Sequence, residues 1–278
     1  MPRFAANLHY LFTEHGFADR FEAAARAGFA GVEFQVPYDY PAAELRARLK
    51  ANGLTMALFD APMGDWSAGD RGLAAVPGRE REFRDSLDRV LEYAGPLDCD
   101  AVHLVAGMVG GDAAYQAAER VYVDNLRFAA DFLKPHGIRA VIEPINNRMG
   151  AIRDGPAYTT RGMHGYFLNH TDHARRILEA VGSDNLFLHL DLYHMQMLEG
   201  HLAETLREHL PVTRHLQIAG VPGRHEPDVG EIHYPFLFDL LDELGYEGWI
   251  GCEYRPRGDT LAGLGWAAVY GIGPGAGR

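Results

Sequence analysis

The chain is poor in cysteine, with only Cys99 and Cys252 among 278 residues. Both thiols sit in apolar runs and cannot build the disulfide framework of a small secreted scaffold. They are expected to be buried, free and in a reducing compartment. No apolar run reaches the roughly 18 residues of a membrane span. Met1-Pro2-Arg3-Phe4 lacks the apolar core of a secretory leader. These absences lead to the expectation of a cytoplasmic protein with no membrane partner. Basic residues are scarce as well: 26 Lys and Arg stand against 38 Asp and Glu, a formal net charge of −12. Phosphate backbones are bound by clustered Lys and Arg, so a nucleic-acid partner is disfavoured. One well-placed arginine can still oppose that field and hold a small anion. Also missing is a Gly-rich phosphate loop opening a helix, which argues against a doubly wound nucleotide-binding sheet.

What is present is a regular alternation. Short β-rich runs occur at Phe4–Leu8, Gly31–Gln35, Leu54–Phe59, Ala101–Val105, Arg139–Glu143, Leu186–Asp191, His215–Ala219 and Trp249–Glu253. Helical patterns lie between them at Asp19–Ala27, around Ala42, Leu45 and Leu49, and at Arg79–Tyr93, Ala113–Leu133, Thr171–Val181, Leu202–His209 and Pro235–Leu244. Alternating strands and helices predict a parallel sheet. Eight such units in this length predict one closed (β/α)8 barrel over residues 1–278, since such barrels run to roughly 250 residues as one domain. Residues 147–164 contain Gly150, Gly155, Pro156 and Gly162 without periodicity and read as an inserted loop. The Gly-rich stretch 271–278 reads as a flexible tail. The pattern leaves homo-oligomerisation open.

In a barrel the active site lies where the strands end. That rule selects Glu143, Asp191, Gln217 and Glu253 on the last four strands, each after an apolar run. A bare carboxylate there is costly to bury unless paired or metal-bound. Four oxygen donors suit a hard divalent cation such as Mg²⁺ or Mn²⁺. His194 follows Asp191 by three residues and leaves the same strand end. Arg224, His225 and Glu226 lie in the loop after the seventh strand, and Arg255 and Arg257 follow the eighth. Any of these arginines could clamp a substrate carboxylate by paired hydrogen bonds. Asn7, Glu33 and His103 are weaker candidates, equally suited to polar roles in the core.

Several runs then resemble the hydroxypyruvate isomerase family, within the wider xylose-isomerase-like barrels. They include Ile142-Glu143-Pro144-Ile145-Asn146, Leu190-Asp191-Leu192-Tyr193-His194-Met195-Gln196, His215-Leu216-Gln217-Ile218-Ala219, Val221-Pro222-Gly223-Arg224-His225-Glu226-Pro227 and Trp249-Ile250-Gly251-Cys252-Glu253-Tyr254-Arg255-Pro256-Arg257. The resemblance implies a metal held by Glu143, Asp191, Gln217 and Glu253. It also implies that Glu143 and Glu253 act as acid and base across the substrate, with His194 touching it. The implied reaction interconverts hydroxypyruvate and tartronate semialdehyde through a metal-stabilised enediolate. A related activity uses 2-oxo-tetronates, one carbon longer, so the expected partner is a small anionic hydroxy-carbonyl acid.

Three alternatives stand beside this. A ketose 3-epimerase would use the same carboxylates on opposite faces of one carbon, but usually carries His where Gln217 stands. An endonuclease IV-like DNA repair enzyme needs further histidines for three zinc ions, and Phe59-Asp60 supplies none. A non-catalytic binding barrel has no use for an intact donor set. The chain departs from the family at 147–164, which separates Asn146 from Gly165-Tyr166-Phe167-Leu168-Asn169. Its Arg148, Arg153 and Arg161 against Asp154 suggest a cationic flap over the mouth, whose shortening would raise the Michaelis constant for an anionic substrate.

Overall fold

The computed structural model describes residues 1–110, 112–148 and 159–275. Eight parallel strands close into a barrel in chain order. They are β1 (Arg3–Asn7), β2 (Gly31–Glu33), β3 (Thr55–Asp60), β4 (Ala101–His103), β5 (Arg139–Ile142), β6 (Leu186–Asp191), β7 (Thr213–Ile218) and β8 (Trp249–Cys252). The ring shuts where β1 pairs with β8, Phe4 opposite Ile250 and Ala6 opposite Cys252. Strands covered on both faces carry near-continuous apolar runs rather than alternation, and β5 and β6 are buried almost throughout.

The outer layer holds α1 (Arg20–Arg26), α2 (Ala42–Ala51), α3 (Glu80–Leu97), α4 (Asp112–Leu133), α5 (Thr171–Val181), α6 (Leu192–Leu198), α7 (Leu202–His209) and α8 (Tyr234–Glu243). Helix α3 buries Phe83, Leu87, Val90, Ala94 and Leu97, three or four residues apart, as an amphipathic helix must against a sheet. It outlasts the expected end at Tyr93. Burial of Ala94 and Leu97 carries it past Pro96, and Asp98 ends it in the left-handed region at φ 52°.

Helix α6 was not foreseen, nor was the 3₁₀ segment Ala262–Tyr270. That segment lays Trp266 edge-on against Phe4 of β1, ring centroids 5.3 Å apart. The start of the Gly-rich stretch is tied down: Ile272 is buried and the Gly273 N–H donates to the Ala27 carbonyl at 2.8 Å. Residues 276–278 lie outside the described residues. Both cysteines are free and buried, and burial pushes the Cys99 thiol up to about 12. No described helix is long and apolar enough to cross a membrane.

Candidate active site

All strands run the same way, so their C-terminal ends share one mouth. Glu143, His194, Gln217, Arg224 and Glu253 line one cavity there, with Gln35, Asp60, His103 and His189. Asp191 lies beside it and is joined to it by Arg224. The Arg224 guanidinium is fully buried. Its Nη2 donates to Asp191 Oδ2 at 2.7 Å and to Glu253 Oε2 at 2.6 Å. Its Nε donates to the Glu253 carbonyl at 3.2 Å, and the Arg255 N–H donates to the Arg224 carbonyl at 2.7 Å. Arg224 stands at φ 55°. That conformation is uncommon for a side-chain-bearing residue, and here the contacts on both sides of the residue hold it.

Asp191 ends β6 and caps α6, its Oδ1 accepting from the Tyr193 N–H at 2.9 Å. His194 therefore rides the first turn of α6, with Nε2 3.5 Å from Asp191 Oδ2 and 3.9 Å from Glu143 Oε1. Asn146 and Arg224 hold its ring from two sides. The Asn146 amide donates to the Arg161 carbonyl and to His194 Nδ1, both at 2.7 Å. His194 Nε2 lies 3.3 Å from Arg224 Nη1, so an N–H donor faces each ring nitrogen, Asn146 at Nδ1 and Arg224 at Nε2.

Gln217 is oriented in the same way. Its Nε2 donates to Glu33 Oε1 at 2.7 Å, so its carbonyl oxygen turns away from that carboxylate. Among the described residues, Gln217 Oε1 and Glu143 Oε1 have no hydrogen-bond partner although both are buried. Orphaned buried acceptors call for an explanation, and a bound cation supplies one. The ligand atoms of Glu143, Asp191 and His194 lie within 4.8 Å of one another, as do those of His103, Glu143 and His189. Buried His, Glu and Asp groups able to hold a metal ion are therefore present. The first group offers two carboxylates and an imidazole, the second one carboxylate and two imidazoles.

Charge points the same way. Burial, reinforced by Glu253 and Asp191, raises the Glu143 carboxyl well above the ordinary carboxylate range. Burial also raises Glu253 and Asp191, each opposed by Arg224. Burial, then Arg224, holds His194 well below the ordinary imidazole value, so it is neutral. Burial opposes the charge on Arg224, yet Glu253, Tyr10 and Asp191 keep its guanidinium above the usual value. Several carboxylates thus share one described guanidinium, and a divalent cation would relieve their mutual repulsion.

A family model described as a xylose isomerase-like TIM barrel matches residues 21–269. The chain belongs to the xylose isomerase-like TIM barrel family. Within it, a 2-oxo-tetronate isomerase of Cupriavidus necator is 53% identical over 270 residues, covering 97% of this chain and 99% of the relative. The hydroxypyruvate isomerase of Escherichia coli is 42% identical over 270 residues, covering 97% of this chain and all of the relative. A solved structure named AP endonuclease, family 2, from Brucella melitensis is 47% identical, with a TM-score of 0.90 over 97% of this chain and 99% of that one. With such curated relatives, this member of the xylose isomerase-like family is an enzyme of the isomerase class.

Not every residue singled out in the sequence reaches the cavity of this family member. His225, Glu226 and Arg255 are not among its lining residues. His225 Nδ1 lies 2.8 Å from the Arg255 carbonyl. Glu226 is buried and accepts from the Arg257 N–H at 2.9 Å and from its Nε at 3.3 Å, bracing one loop on another. The left-handed backbone at Arg224 sends its side chain inward and turns its neighbours elsewhere. Conversely, Trp66, Thr160 and Met163 line the cavity without having been singled out. Of the inserted stretch, residues 149–158, including Arg153 and Asp154, lie outside the described residues. The part that follows is anchored. The Thr160 carbonyl accepts from Arg224 Nη1 at 2.5 Å and from the Tyr10 hydroxyl at 3.0 Å.

Proposed function

We propose that this enzyme isomerises a small 2-oxo acid with a hydroxyl beside the carbonyl, hydroxypyruvate or a 2-oxo-tetronate. The observation that carries the reading is a pair of buried carboxylates, Glu143 and Glu253, on one cavity with the Gln217 oxygen turned away from Glu33. Glu143, Asp191, Gln217 and Glu253 would hold a divalent cation, Mg²⁺ or Mn²⁺. When bound, that cation supplies Lewis-acid stabilisation of the oxygen charge that develops as a C–H proton leaves.

The chain's own groups do the rest. In hydroxypyruvate the C3 proton passes to one of the two glutamates, which leaves an enediolate over C2 and C3. Reprotonation at C2, with the C3 hydroxyl proton passing to the C2 oxygen, gives tartronate semialdehyde. His194 lines the cavity with Nε2 3.9 Å from Glu143 and contacts the substrate there. Arg224, its N–H groups committed to Asp191, Glu253, Thr160 and His194, holds the two carboxylates in place. Trp66, Met163 and Ile145 form apolar wall, which keeps water from quenching the carbanion. Tests with each acid in D₂O, followed by NMR, should show deuterium entering at the carbons that exchange the proton. Exchange should cease with EDTA and return with Mn²⁺. Absence of exchange with both acids under saturating Mn²⁺ refutes the reading. Inversion at one carbon without movement of the carbonyl would assign a 3-epimerase instead.

The Brucella structure bears the name of an AP endonuclease, which favours a second reading, incision of DNA at abasic sites. The net charge of −12 and a cavity lined by carboxylates work against a phosphate backbone. Incision of an abasic-site duplex, without turnover of either acid, would establish it.

A further inference from the structure

We propose that Glu33 is a positioning residue for the cation: it fixes which end of the Gln217 amide faces the cavity. The inference rests on the reading of Gln217 as a metal ligand and adds the group that makes it one. Glu33 is the last residue of β2 and is 1% exposed. A carboxylate so deep in a barrel must be answered by donors. It has three: Asn7 Nδ2 at 3.0 Å and Gln217 Nε2 at 2.7 Å on Oε1, and His215 Nε2 at 2.7 Å with Oε2. These come from β1 and β7, the latter twice. The fourth wall is β8. A Cβ built on Gly251 would stand 2.3 Å from each Glu33 oxygen, so only glycine leaves room for the carboxylate there.

The chemistry of an amide makes this arrangement directional. Gln217 presents either a carbonyl oxygen or an NH₂, two ends of nearly equal shape and opposite polarity. A cation accepts the first and repels the second. The carboxylate beneath the amide, with His215 at its other oxygen, takes the NH₂ at 2.7 Å. The orphaned Oε1 is then left for the cavity, which Gln217 lines with His189, Glu143 and Glu253. Glutamine at position 33 would remove that bias, since it could donate to the Gln217 oxygen and let the amide reverse. Groups that orient a metal ligand from behind are typically worth about 10–100-fold in metal affinity.

The test is Mn²⁺ titration of metal-stripped protein by calorimetry, independent of turnover. Glu33→Gln should bind Mn²⁺ about 10–100-fold more weakly than wild type while keeping its circular dichroism. The exchange variant Glu33→Gln/Gln217→Glu should recover most of that loss. Its new amide donates to the new carboxylate and leaves one oxygen for the cation, a rescue that damage to the core would not give. Wild-type affinity in Glu33→Gln overturns the inference alone. Failure of the wild-type protein to bind either Mn²⁺ or Mg²⁺ overturns the donor set and the inference with it. Should Glu33→Gln not fold, the wild-type Gln217 side-chain carbonyl signal decides the matter. It moves on Mg²⁺ addition if the oxygen is the ligand, and a signal that stays in place overturns the proposal.

Discussion

Glu143→Gln and Glu253→Gln are each expected to lower turnover at least about 10²-fold with metal at saturation, the lower range for losing a positioned acid or base. Glutamine keeps the shape and one oxygen of each side chain but cannot take a carbon-bound proton. Neither His194 nor Arg224 replaces it. His194 is neutral, with Nδ1 committed to Asn146, and Arg224 stays protonated. The two variants should differ in their effect on the surroundings. Glu143 Oε1 has no described hydrogen-bond partner. Glu253 anchors both Arg224 and the Gln35 amide, at 2.6 and 2.5 Å. Glu253→Gln should therefore also weaken substrate binding, while Glu143→Gln acts mainly on kcat. Metal content measured on the same samples separates lost chemistry from lost cation. Near-normal kcat with metal bound would remove that glutamate from the mechanism.

Arg224→Met should destabilise the metal-free protein by about 3–5 kcal/mol, the usual cost of stripping the partner from buried charges. Arg224 is the shared counter-ion of Asp191 and Glu253, and it also ties Thr160 to the site. Methionine fills much of the volume, so the loss would be electrostatic rather than a cavity. Urea unfolding in EDTA reads the loss. Repeating it in excess Mg²⁺ should recover part, because a cation bound only to the folded protein stabilises it by mass action and neutralises the same carboxylates. An unchanged urea midpoint in EDTA would mean that the two carboxylates find protons or other partners without Arg224.

The barrel was legible because apolar runs ending in a single polar residue mark strands that feed one mouth. Glu143, Asp191 and Glu253 could be ranked on that ground, whereas Gln217 stands inside its strand between Leu216 and Ile218. Helix α6 was not legible. Leu192-Tyr193-His194-Met195-Gln196-Met197-Leu198 is seven residues long, too short for a helical period to stand out. Thr160 and Met163 were hidden for another reason. They belong to a stretch without periodicity, and the contact that fixes Thr160 is with Tyr10, 150 residues away. His225, Glu226 and Arg255 lie in the right loops, but one residue of left-handed backbone decides which side chain enters, and spacing does not record φ.

The four oxygen donors lie on strands β5 to β8, yet the groups that aim them, Asn7, Glu33 and Gln35, come from the first two strands or just after. The ring shuts between β1 and β8, the pairing most distant in sequence, Arg3 with Trp249. A chain in which that seam is still open has β8 paired with β7 alone, with Glu253 untethered from Gln35 and Gln217 free to turn its amide either way. Tight cation binding is therefore a property of the finished ring rather than of the half that supplies the donors. During refolding it should emerge only with the slow, long-range closure step, which makes cation affinity a gauge of how many molecules in a preparation have completed their fold.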